Sequence, residues 1–151
     1  MRVRSHIATS AVLGAIIYYI FKSMPMTASA FLSGVLIDLD HVLECYLNYG
    51  ENFNMWTTIK ICESGKLKKA HLILHSYELV LVYSLLIWWF DLGPVWYGIA
   101  LGLASHLILD AIFNCYHANG LFFIVRYNKD FKYSKIVDIV AQKKKLAVSK
   151  S

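Results

Sequence analysis

The sequence predicts an all-α fold: an integral membrane bundle of about four transmembrane helices, carrying a polar site among the helices on the cytoplasmic side. Three observations predict it. Of 151 residues, 58% are hydrophobic and only 17% charged, with a mean hydropathy of +0.49; a soluble domain of this size carries fewer apolar and more charged side chains. The apolar residues gather into long runs divided by short polar or Gly/Pro punctuation. The basic residues then fall on alternate connections, as expected when successive helices cross a bilayer in opposite directions.

Taken in order, Arg2 and Arg4 precede His6, and residues 7–21 are apolar or small throughout. That run is short for a span but workable if tilted, and it lacks the small-residue cleavage pattern of a signal peptide, so it reads as a retained helix. Lys22 to Met26, with Pro25, makes the first turn. A second span covers about 27–47. Residues 48–69 are polar and include Gly50, Gly65, Lys60, Lys66, Lys68 and Lys69; they read as a loop with a short interfacial helix around 53–62. A third span covers about 70–90 and ends in Trp88 and Trp89, residues suited to the membrane interface. Asp91 to Pro94 is a tight turn, and the fourth span covers about 95–116. Residues 120–127 are apolar but too short to cross. The remainder, 128–151, reads as a basic tail ending with Lys143, Lys144 and Lys145, so 1–127 forms the helical domain.

The net charge of +5 raises nucleic acid as a partner, but its placement argues otherwise. Every Lys and Arg except Lys22 lies in the N-terminus, the 48–69 loop or the stretch that follows the fourth span. This puts both termini on the cytoplasmic face of a multi-pass inner-membrane protein. There the basic loop and tail attract anionic lipid headgroups, and no nucleic acid is required. Three cysteines (Cys45, Cys62, Cys115) without a Cys-x-x-Cys pattern indicate neither a disulfide framework nor a thiolate zinc site.

The polar residues within the apolar runs are the informative ones. Asp38, Asp40 and His41 sit within four residues of an otherwise apolar stretch, where ionisable groups are costly to bury without partners. His6 opens the first span at its cytoplasmic end, and His71 and His75 open the third. His106 and Asp110 lie in the later half of the fourth, which returns to the cytoplasm. At about 1.5 Å per residue, Asp40, His75 and Asp110 fall within roughly 8–10 Å of the inner ends. Each span therefore brings a metal-type ligand to one half of the membrane. His106 and Asp110 share a helix face, as would His71 and His75 on an unbroken helix. A kink after Gly34 would let Asp38, Asp40 and His41 converge. Candidate ligands are His6, Asp38, Asp40, His41, His75, His106 and Asp110. The donor set suits a divalent cation, zinc first, then manganese or iron, in about one to three copies. Glu78 or Asp38 could accept a proton from an attacking water, though Glu78 could equally orient a ligating imidazole. His71 reads equally as a ligand or as a helix-to-helix hydrogen-bonding residue, and His117 as a headgroup contact.

Ser5-His6, Ile37-Asp38-Leu39-Asp40-His41, Leu74-His75-Ser76 and Ala104-Ser105-His106-Leu107-Ile108-Leu109-Asp110 together resemble the LexA-binding, inner-membrane-associated hydrolases, also described as membrane-bound metal-dependent hydrolases. That family pattern has an early His, a Pro-Asp-x-Asp-His element, a His-Ser element and a late Ser-His-x-x-x-Asp. Ile37 stands where the family often has Pro, and no Arg follows His71. More distantly, the His-x-x-x-Asp helix is similar to that of zinc-dependent phospholipase C. The resemblance implies metal-assisted hydrolysis of a membrane-associated ester, with a lipid phosphoester first, through a metal-activated water. A non-enzymatic metal-binding regulator, a metal or proton transporter, and a haem-binding bundle are the other classes compatible with intramembrane His and Asp.

Overall fold

The computed structural model describes residues 3–50, 67–114, 116–117 and 119–142. The interfacial helix expected around 53–62, Cys62, Cys115, Lys60, Gly65, Lys66 and the lysine run 143–145 lie outside them. Among the described residues all the regular elements are helices, with no strand. In chain order the helices are α1 (Val3–Phe21), α2 (Met24–Leu36), α3 (Leu39–Tyr49), α4 (Tyr77–Trp89), α5 (Pro94–Phe113), α6 (Phe123–Asn128) and α7 (Tyr133–Ile136).

Local chemistry sets the boundaries. Ser23 caps α2, its Oγ accepting from the Met26 amide at 3.4 Å, and Pro25 occupies the first turn where no amide donor is needed. Pro94 opens α5 after Gly93 in the same way. Lys22 and Asp91 turn the chain with φ of 51° and 45°. Between α2 and α3 the helix breaks at Ile37–Asp38, where the Asp40 and His41 amides reach back only three residues, to Ile37 and Asp38. The kink expected after Gly34 therefore falls three residues later, directly under the acidic cluster.

α2 and α5 form the central pair, with α1 against α2 and α4 against α5. Close approach of the central pair depends on glycine: a Cβ on Gly98 would strike Ser29 and Met26, and one on Gly102 would strike Ser33 and Ala30. Small residues four apart let two backbones touch, a packing mode suited to lipid surroundings. Ser33 Oγ also donates to the Ile99 carbonyl at 3.2 Å across this seam. The outward faces are apolar, with Val12, Ile20, Leu81, Trp88, Trp89 and Ile112 exposed. Two stretches, Met24–Asn48 and Pro94–Phe113, are long and apolar enough to cross a membrane; α1 and α4 contribute shorter apolar helices.

Two expectations are corrected. Residues 70–76 are not helical, and α4 starts only at Tyr77. Their backbone amides are taken by long-range partners, including the Glu44 and Asp40 carboxylates and the Phe131 carbonyl. His71 and His75 consequently share no helix face. The stretch from residue 128 is also not simply a polar tail. Tyr133, Ile136 and Val137 are buried with Cys45, Leu67, Ala70 and Leu72 in a small second core. Their i, i+3, i+4 spacing gives α7 and its end one apolar face. Hydrogen bonds from Ala70 to Phe131, Tyr133 to Lys68, Tyr77 to Leu121 and His117 to Ile136 knit residues 68–77 and 117–136 into a cap over this end of the bundle.

Candidate metal centre

The stripes that pack the helices also deliver the site. On α5, Gly98, Gly102, His106 and Asp110 follow one another at intervals of four and all are buried. On α2, Met26, Ala30 and Gly34 do the same, and the next step along that line is Asp38 at the break. α1 contributes buried His6 and Ser10. Towards the cap end the α2 and α5 stripes change from residues that pack helix against helix to ionisable ones, so the faces that touch along the seam carry imidazole and carboxylate at its end.

His106 is oriented from behind. Its Nδ1 lies 2.8 Å from the Gly34 carbonyl, which can only accept, so Nδ1 carries a proton and Nε2 presents its lone pair when the ring is neutral. His75 is held similarly by Asp40, with Nδ1 3.3 Å from Oδ2, and that oxygen also accepts from the Leu74 amide at 2.7 Å. Asp40, expected among the ligands, therefore stands behind His75. A carboxylate or carbonyl on the rear nitrogen is the usual support for a metal-binding imidazole.

The front atoms converge. His6 Nε2 is 3.3 Å from Asp110 Oδ1, and the His6 ring stacks on His106 with centroids 4.2 Å apart. His106 Nε2 lies 3.3 Å from Asp38 Oδ1 and 3.7 Å from Asp110 Oδ2. His75 Nε2 lies 3.8 Å from Asp38 Oδ1 and 4.0 Å from Asp110 Oδ2, and His41 Nε2 is 3.9 Å from Asp38 Oδ1. Two groups have ligand atoms all within 4.8 Å of one another: His6, His106 and Asp110, and Asp38, His41 and His75. Each aspartate also approaches an imidazole of the other group, so the two groups form one continuous cluster.

These buried His/Asp groups could hold a metal ion. The Nε2 atoms of His75 and His106 and both Asp110 oxygens are buried without a hydrogen-bond partner among the described residues. With the rear nitrogens protonated, lone pairs face lone pairs, an arrangement that is costly at low dielectric unless a cation lies between them. Nitrogen and oxygen donors without thiolate fit a borderline or hard divalent ion.

Other candidates lie elsewhere. Glu78 spends both oxygens on the start of α6, accepting from the Phe123 and Ile124 amides at 2.8 and 3.1 Å. It is a helix cap and makes no contact with the cluster among the described residues. His71 pairs with Glu44, Nδ1 to Oε1 at 3.0 Å, while the other Glu44 oxygen accepts from the His71 and Leu72 amides. Sequence reasoning missed Glu44, although it lies one turn beyond Asp40, where the same helix face recurs. It also missed Tyr116 and Arg126, both in the cap. Desolvation raises the Tyr116 phenol well above its ordinary range, and the Asp110 charge adds to this. Burial lowers the proton affinity of Arg126, opposed by the charges of Tyr116, Glu78, Asp40 and Glu44. No protein-family model matches the chain, and comparison with curated proteins and with solved structures likewise returns no match.

Proposed function

We propose that this chain is a multi-pass membrane hydrolase dependent on a divalent metal, zinc first, acting on a phosphoester at the cytoplasmic surface of the inner membrane. The observation that carries the reading is the cluster of His6, Asp38, His41, His75, His106 and Asp110, buried except at half-buried Asp38 and His41, with two of its imidazoles fixed from behind. The reading agrees with the motif resemblance to the LexA-binding, inner-membrane-associated hydrolases. Four apolar helices, α1, α2 with α3, α4 and α5, cross the bilayer, and both termini face the cytoplasm beside anionic lipid.

Bound metal supplies Lewis acidity, making water a usable nucleophile near neutral pH and offsetting developing negative charge. The protein's own residues do the rest. Gly34 and Asp40 fix the tautomers of His106 and His75. Asp110, almost wholly buried, is committed to the ring, whereas Asp38 is the more open aspartate, its side chain 21% exposed against 1%. Asp38 is therefore the group placed to take the proton from an attacking water. The outer half of the central seam is lined by Met26, Ser29, Ala30, Ser33, Gly98 and Gly102, none of them ionisable, which disfavours ion transport.

The test is elemental analysis of the detergent-purified chain, followed by release of phosphate or diacylglycerol from phosphatidic acid and phosphatidylglycerol. Activity lost on chelation and in Asp38→Asn supports the proposal. Bound metal with no hydrolysis of any phosphoester would leave the non-enzymatic regulator as the better reading.

A further inference from the structure

Arg126 is fully buried in α6, yet its Nε, Nη1 and Nη2 have no hydrogen-bond partner among the described residues. Its Cζ lies over the face of Phe123, 5.8 Å from the ring centre. The carboxylates that act on it through space are Glu78, Asp40 and Glu44, and each is engaged elsewhere. Glu78 caps α6. Asp40 holds Leu74 and His75. Glu44 holds Asn48, His71 and Leu72. A guanidinium does not shed its charge to relieve burial, so an unpaired one is among the costliest groups a protein can enclose.

Its location gives the charge a use. Glu78, three residues after His75, caps α6, and the Tyr77 amide bonds the Leu121 carbonyl at 3.2 Å, so Arg126 is anchored to the segment that carries His75 into the cluster. Five donors in a planar fork match the oxygens of a phosphoryl group in a bidentate pair.

We propose that Arg126 clamps the phosphoryl oxygens of the substrate beside the metal centre, making the substrate class a phosphoester with an unesterified anionic oxygen. The inference rests on the metal-centre reading. A phosphate headgroup on a lipid and a free phosphate offer the same chemistry, and the two arms of the test separate them.

The full chain in detergent is titrated calorimetrically with inorganic phosphate and, separately, with dihexanoyl phosphatidic acid, and its metal content is measured in parallel. Arg126→Gln should retain metal and bind whichever probe the wild type binds about 10- to 100-fold more weakly, with Arg126→Lys intermediate. Wild-type binding of phosphatidic acid alone assigns the lipid headgroup, and binding of both assigns the phosphoryl group irrespective of tail. Unchanged affinity in a metal-containing Arg126→Gln protein overturns the clamp, as does failure of both probes to bind a metal-containing wild type. Absence of metal from the wild type would instead remove the hydrolase reading, while the affinity difference between wild type and Arg126→Gln would still be read directly.

Discussion

Asp40 and the Gly34 carbonyl decide what His75 and His106 can do, because each holds a rear nitrogen and leaves the front one to the cluster. Asp40→Asn keeps an acceptor for the Leu74 amide but removes the charge behind His75. It should lower metal affinity about 10- to 100-fold, measured by competition with a calibrated chelator; unchanged affinity would show that Asp40 only pins the loop. The imidazoles must also be neutral at the front to bind a cation. Protons compete with the metal for these ring nitrogens, so affinity should fall as the pH is lowered. A chelator titration from pH 5 to about 8 reads this directly. At this scale much was legible in the sequence. Depth along the expected spans puts His6, Asp38, His41, His75, His106 and Asp110 at one end, and the structure brings these side chains together. Asp40 was read into the ring because spacing gives neighbours but not which side of an imidazole a carboxylate meets. Arg126 was passed over because residues 120–127 carry no periodicity that reports burial.

Among the elements, the α2–α5 seam sets the spacing on which the site depends. Gly102→Val would drive a side chain into Ser33 and the Ala30 backbone and should cost at least about 2 kcal/mol by overpacking, with loss of bound metal. Gly93, where a Cβ would meet nothing within 4 Å, is the control; Gly93→Ala should leave the thermal midpoint in detergent essentially unchanged. Equal midpoints for the two variants would contradict the close-packed seam. The four apolar runs were legible, as were the turns at Lys22–Pro25 and Asp91–Pro94, because glycine and proline interrupt hydropathy there. The non-helical stretch 70–76 was not. Its conformation is set by Glu44 and Asp40, 27 to 35 residues away, and local pattern carries no trace of such partners. The same holds for Tyr133, Ile136 and Val137, whose burial comes from the cap's long-range pairing.

For the whole molecule, the exposed apolar side chains and the placement of lysine and arginine are what support the proposed membrane topology, with the site near the inner face. Single cysteines introduced at Ser23 and at Asp91, in a background freed of Cys45, Cys62 and Cys115, should react with a membrane-impermeant maleimide from the outer side of the inner membrane. A cysteine at Lys129 should react only from the cytoplasmic side. Reaction of all three from the same side would break the four-span topology. The central claim is that the buried His/Asp cluster exists to hold a divalent cation, and metal content tests it most directly. Wild-type protein purified in mild detergent should carry at least one equivalent of a divalent transition metal by mass spectrometry, and His106→Ala and Asp110→Ala should carry close to none while retaining their helical spectra. A folded wild type with no stoichiometric metal, unable to take up zinc, manganese or iron on addition, would contradict the account.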